Sequence, residues 1–129
     1  MFTLYHADFI GNPSNCSYPH KTIVIDADSF KSAVGHDYVC AEYKNHYRNG
    51  DNFLSTDCLP VDCDNDHSEN PKDWVTPADV LEAFPGVSIA VHYSRFNKRE
   101  KNGKPARPKF HVLFPIDRMT DAVLYSDMK

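Results

Sequence analysis

Apolar residues along this chain fall in short β-branched or alternating runs, cut by clusters of Gly, Pro, Asn, Asp and Ser, and that spacing predicts many short strands and few helices. A short strand over Met1 to Tyr5 leads into a loop punctuated by Gly11, Pro13 and Pro19. Lys21-Thr22-Ile23-Val24-Ile25 predicts a strand, and Asp28-Ser29 then offers the cap of a helix running to Val34 and closed by Gly35. A further strand spans Tyr38 to Tyr43, and Asn49-Gly50-Asp51-Asn52 makes a reverse turn. Leu59 to Asp64 reads as a strand, with Pro60 tolerable near its start. Thr76-Pro77-Ala78-Asp79 starts a helix that carries Val80, Leu81 and Phe84 on one side and stops at Pro85-Gly86. Strands follow at Val87 to Tyr93 and Lys109 to Phe114, joined by a basic hairpin loop from Ser94 to Ala106. Pro115 is expected to break the second, and a last helix begins at Thr120. The predicted class is α+β, a mostly antiparallel sheet flanked by helices.

Size and composition leave this picture intact. A chain of 129 residues suits one domain, 1–129, and 41% apolar with 25% charged residues is ordinary for a globular protein. No apolar run reaches the ~20 residues of a membrane span. Met1 to Asp8 lacks the basic and apolar regions of a signal peptide, so a cytoplasmic location and no membrane partner are expected. In that reducing compartment Cys16, Cys40, Cys58 and Cys63 read as free thiols. Cys58, Cys63 and His67 are neighbours in sequence, but neither a C-x2-C nor an H-x3-5-H pair is present, which argues against zinc.

Charge changes the picture more. The net charge of −4 speaks against a nonspecific nucleic-acid coat, but its distribution is uneven. Acids concentrate between Asp51 and Asp79, whereas Arg95, Lys98, Arg99, Lys101, Lys104, Arg107 and Lys109 form a basic block with Glu100 as its only acid. In Leu59-Pro60-Val61-Asp62-Cys63-Asp64-Asn65-Asp66-His67, carboxylates recur at every second position, side by side on one strand face. Such groups raise one another's pKa and cost stability unless a cation neutralises them, which points to a divalent metal. With 14 aspartates the Asp-x-Asp pattern also arises by chance, and Asp26-Ala27-Asp28 reads as turn and cap chemistry. Asp62 to Asp73 mimics a calcium loop, yet His67 stands where the sharp turn needs glycine and no helix enters it. Along Lys109 to Phe114, alternation turns Phe110, Val112 and Phe114 to the core. Arg107, Lys109 and His111 then share the other face and present three cations to a phosphate chain. Carboxylates facing a cationic block suit a metal-bound polyanion such as a nucleoside triphosphate.

On these residues the chain resembles the archaeo-eukaryotic primase superfamily. Val61-Asp62-Cys63-Asp64 is similar to its first motif, hydrophobic-Asp-x-Asp, and Lys109-Phe110-His111 to its second, small-x-His, with Lys109 where the family has a small residue. Together with Asp73-Trp74-Val75-Thr76-Pro77 and Arg107 to Pro115, these stretches are most similar to primase-polymerase domains of bacterial mobile elements, phages and plasmids. The resemblance implies an RRM-like catalytic core performing template-directed nucleotidyl transfer in DNA replication. It implies Asp62 and Asp64 as ligands of Mg2+ or Mn2+, and His111 on the phosphates of the incoming nucleotide, with Arg107 and Lys109 beside it. Ser94, Arg95 and the loop lysines would meet triphosphate or template. The implied partners are nucleoside triphosphates, a single-stranded or primed DNA template and a replicative helicase. The family's third motif supplies another metal carboxylate from a strand after the next helix. Here Asp117, Asp121 and Asp127 are accounted for by cap and surface roles. The expectation is therefore the N-terminal portion of a primase-polymerase domain, truncated at the C-terminus and inactive as it stands, with the third carboxylate beyond Lys129. Two alternatives stay open, a non-catalytic nucleotide- or nucleic-acid-binding module and a domain stabilised by structural calcium or zinc.

Overall fold

The computed structural model describes residues 1–95, 97–100 and 106–129. Two antiparallel sheets and three α-helices make up an α+β fold among these residues. The chain forms two compact units, one of Met1–Leu59 with Pro115–Lys129, the other of Pro60–Phe114.

In the first unit β1 (Phe2–His6) pairs antiparallel with β2 (His20–Val24) on one side and β3 (Tyr38–Val39) on the other. Alternation sets the faces: Phe2 and Leu4 are buried, whereas Thr3 and Tyr5 turn the other way. Helix α1 (Ala27–Val34) buries Ala33 and sets the Phe30 ring edge-on against Phe2, with centroids 6.3 Å apart. Its start differs from the expected one. Asp26, not Asp28, is the N-cap: its carboxylate accepts the Ser29 N–H at 2.8 Å while the Ser29 hydroxyl accepts the Asp26 N–H at 3.1 Å. The backbone N–H of Ser29 first, and its side chain second, hold the Asp26 carboxyl below its usual range. Asp28 takes the first turn, where the helix dipole favours it.

The single strand expected over 38–43 is two strands in two sheets, divided at Cys40. β4 (Ala41–Tyr43) pairs with the start of β5 (Phe53–Cys63). The Asn-Gly turn before β5 is a 3-10 turn over Gly50–Asn52, capped by Asn49, whose side chain accepts the Asp51 N–H at 3.0 Å. β5 is longer than the sequence suggested and passes through Pro60. β4 reaches only residues 53–56 of it, so that side of the strand carries no β4 ladder for a missing N–H to break.

The second unit holds α2 (Pro77–Ala83) and β6 (Ala90–Tyr93). Thr76 caps α2 and Asp79 completes the capping box; Gly86 at φ 78 turns the chain after it, a conformation open to glycine. β6 pairs antiparallel with β7 (Phe110–Met119) from Ala90↔Leu113 to Tyr93↔Phe110, as a hairpin predicts. β7 does not stop at Pro115. β6 ends opposite Leu113, so the proline falls where that side has no β6 ladder. Leu113 is as buried as Phe110 and Val112, so this stretch packs on both faces rather than one. The strand order of this sheet is β4-β5-β7-β6. α3 (Ala122–Met128), capped by Asp121, belongs to the first unit and buries Tyr125, which stacks on Phe53 at 5.5 Å. Among the described residues no helix is long and apolar enough to cross a membrane.

One hydrogen-bonded pair in the first unit spans 54 positions. Asp57 accepts the Thr3 N–H at 2.8 Å and the Thr3 hydroxyl at 2.9 Å. Asp57→Ala strands both donors and is expected to lower the unfolding free energy by about 1–3 kcal/mol in urea titration. Ile25→Ser, at a side chain 71% exposed, is expected to change it by no more than ~0.5 kcal/mol. Equal effects would contradict this account of the unit.

Candidate functional site

Past the end of β5 the acidic stretch turns at a buried asparagine. Asn65 sits at φ 54, a left-handed conformation that Asn tolerates better than most residues, and is 3% exposed. Its amide donates to Val75 O at 3.0 Å and Pro108 O at 2.8 Å, and its carbonyl accepts the Val75 N–H at 2.7 Å. The loop beyond folds on itself. Trp74 donates its indole N–H to Ser68 O at 2.9 Å, Ser68 donates its hydroxyl to Asp73 Oδ2 at 2.7 Å, and His67 donates to Asp73 O at 2.7 Å.

Arg107 closes this loop. Its guanidinium, in a residue 1% exposed, donates to Asn65 O at 2.7 Å, Ser68 O at 3.1 Å and Glu69 Oε2 at 3.0 Å. Asp66 Oδ1 lies 4.0 Å away and the Trp74 ring faces the cation at 5.5 Å. Carbonyls and carboxylates thus gather round a guanidinium much as they would round a metal ion, with a planar fork in the middle. The cation that the acidic cluster called for is in part a side chain of the same unit.

This alters the basic row. β7 begins at Phe110, so Arg107 and Lys109 precede the strand, and both are buried. Lys109 is 3% exposed, its N–H donating to Asn97 Oδ1 at 3.0 Å and its carbonyl accepting the Ser94 N–H at 2.9 Å. Ser94 is half-buried and also accepts the Asn97 N–H, while Arg95 is exposed. Lys101 and Lys104 lie outside the described residues.

What the structure does bring together is a row across three neighbouring strands. Asp62 on β5 and His111 on β7 meet at 2.5 Å, carboxylate Oδ1 to ring Nδ1, and His92 on β6 is the register partner of His111, with ring centroids 4.8 Å apart. The Asp62 side chain is 67% exposed and that of His111 28%, so the pair opens to solvent. The imidazole bonded to it holds the Asp62 carboxyl below the usual carboxylate range, against the opposing effect of desolvation. Burial first, and His111 second, lower His92 to about 4. A neutral His92 donating Nδ1–H to Tyr93 O at 3.2 Å presents Nε2 as an acceptor.

Asp64, one position past β5, is half-buried and makes no hydrogen bond or ion pair with a described residue. Among the described residues no group of three or more His, Cys, Asp or Glu side chains is arranged to hold a metal. Asp62 and Asp64 stand two positions apart at the end of β5, and a hydrated Mg2+ needs only one or two carboxylates. All four cysteines are free, and Cys58 and Cys40 are buried against each other, a contact that pushes the Cys58 thiol up. Cys63 is half-buried, 4.0 Å from Asn65 Oδ1.

Arg107→Lys keeps the charge and loses the fork, so it is expected to destabilise the protein by about 2–4 kcal/mol in urea unfolding. Asp66→Asn, at the exposed rim, is expected to cost less than ~1 kcal/mol. Acidification gives a second check. In the unfolded chain His92 takes up a proton near its ordinary 6.5, in the folded chain only near 4. Its contribution is therefore complete above 6.5 and is lost as pH falls towards 4, whereas that of Asp62 is lost only below the ordinary 3.8. His92→Gln is expected to flatten the decline in unfolding free energy between pH 6.5 and 4.5; an unchanged slope would remove His92 as its source. Comparison with protein-family models, with curated proteins and with solved structures found no match to this chain.

Proposed function

We propose that the chain is part of an RRM-like primase-polymerase core, in which Asp62, Asp64 and His111 bind a metal–nucleoside triphosphate for template-directed nucleotidyl transfer. The observation that carries this reading is the 2.5 Å contact of Asp62 with His111, 49 positions apart. Through it the hydrophobic-Asp-x-Asp segment and the segment ending in His111 meet on adjacent strands. The topology supports it too: β5, α2, β6 and β7 follow one another in the chain while β7 lies between β5 and β6, a split strand–helix–strand unit.

Mg2+ or Mn2+ held by Asp62 and Asp64 would supply positive charge against the charge that builds up in an in-line displacement. The chain's own groups divide the remaining work. Asp62 spends Oδ1 on His111 and keeps Oδ2 for the cation, with Asp64 as the second carboxylate. Accepting Nδ1–H fixes the imidazole and leaves Nε2 to meet a phosphate oxygen as a donor when the ring carries its second proton. Arg107 acts from below, holding the loop that follows the carboxylates. A DNA template is the partner this reading requires, and a replicative helicase is one it accommodates.

The donor set also favours a second reading, a nucleotide-binding module without catalysis, because two carboxylates suffice to bind one hydrated ion but not to hold two. Manganese and deoxynucleoside triphosphate titrations of the chain test both. Weak, metal-dependent nucleotide binding is expected, reduced about tenfold or more by Asp62→Ala or Asp64→Ala, and about tenfold by His111→Ala with manganese binding kept. Binding unchanged in the two aspartate variants would remove the cluster from the mechanism. The isolated chain is expected to extend no primer; robust incorporation would contradict the two-carboxylate account.

A further inference from the structure

The first unit has a polar cavity of its own. About 100 Å³ in volume, it is lined by Thr3, Tyr5, Lys21, Glu42, Ser55, Thr56, Asp57 and Arg118, and every one of these residues belongs to that unit. Two carboxylates and two cations face it, and they differ in their hydrogen bonding within the chain. Both oxygens of Asp57 accept hydrogen bonds from Thr3. Glu42 lies against the Tyr5 hydroxyl, which burial and these two acids push up to about 12, so the phenol stays neutral and donating. The Thr56 hydroxyl is taken up by Cys40 O at 2.6 Å and Cys58 O at 2.9 Å. By contrast, Lys21 and Arg118 make no ion pair with a described residue.

Ser55 supplies the independent sign of a ligand. It is 5% exposed, lines the cavity, and its hydroxyl makes no hydrogen bond to a described residue. No fully enclosed side-chain polar atom of the described residues lacks a partner, so this hydroxyl meets the open space of the cavity. A hydroxyl of a largely buried residue that opens only onto a cavity and finds no protein partner there is met by ordered water or a ligand. The unspent groups facing the cavity are thus one hydroxyl and two cations, a donor set for an oxyanion. The volume suits a single tetrahedral group and is too small for a nucleotide.

We propose that this cavity binds one phosphate group, held by the Ser55 hydroxyl, the Lys21 ammonium and the Arg118 guanidinium. The group comes either from inorganic phosphate or from the end of a small phosphomonoester. This site is independent of the nucleotide reading of Asp62, Asp64 and His111, which lie in the other unit.

Backbone amide NMR of the 129-residue chain, titrated with inorganic phosphate, with glycerol phosphate and with potassium chloride at matched ionic strength, tests it. Saturable shifts at Thr3, Tyr5, Ser55 and Arg118 are expected with the phosphates and not with chloride. Arg118→Gln is expected to weaken phosphate binding about tenfold or more, and Ser55→Ala or Lys21→Gln about three- to tenfold. Arg118 and Lys21 are exposed, so both variants are expected to keep the wild-type spectrum outside the cavity. Tighter binding of glycerol phosphate assigns the site to phosphomonoesters, and binding of inorganic phosphate alone assigns it to the free ion. Shifts that do not saturate, that chloride reproduces, or that persist unchanged in Arg118→Gln and Ser55→Ala would overturn the proposal. The Asp62→Ala variant is expected to bind phosphate here as wild type does.

Discussion

Burial of the Arg107 guanidinium is the constraint around which the second unit is arranged. A charge withdrawn from water is tolerable only where its donors are met, and here two backbone carbonyls, one carboxylate and an aromatic face meet them. The consequence runs along the chain. The loop after β5 has to curl so that Asn65 O and Ser68 O point inward, which requires the left-handed Asn65 and the bridges from Trp74 and Ser68. With the loop fixed, the end of β5 is fixed, and with it the position from which Asp62 reaches His111.

The same stretch solves its charge problem twice, in different ways. At its inner side, Asp66 and Glu69 lie against a permanent cation that cannot lose its proton, so the loop is built whatever the solution holds. At its outer side, Asp62 faces His111, and Asp64 has no partner among the described residues. A side chain of the same unit therefore gathers the carbonyls and a carboxylate of this loop. His92 belongs to the outer side: its ring is tilted against that of His111, and it stays neutral down to about pH 4.

Local rules carried the sequence reading far. Thr76 to Asp79 announces a capped helix because all its partners lie within one turn, and the alternation over β1 and the β6–β7 hairpin follows from the pleat. Asp62 and His111 stood out because each is a polar residue in an apolar strand, and the structure brings the two side chains together. The misreadings share a cause. Arg107 looked like a surface cation because the groups that bury it lie 38 to 42 positions away, and nothing near it announces them. Cap choice between Asp26 and Asp28, the division at Cys40, and the passage of strands through Pro60 and Pro115 likewise depend on where neighbouring strands end. Ser55 and the cavity it faces left no trace in local pattern.

In the proposed function the exchangeable cation site lies at Asp62 and Asp64, while Arg107 holds the loop that follows them. Paramagnetic broadening of amide and imidazole resonances by trace Mn2+, with and without a nucleoside triphosphate, tests it most directly. Broadening centred on Asp62, Asp64 and His111, strengthened by nucleotide and sparing Asp66 to Asp73, is the predicted result. Broadening centred on the 66–73 loop, or none at the strand end with nucleotide present, would contradict it.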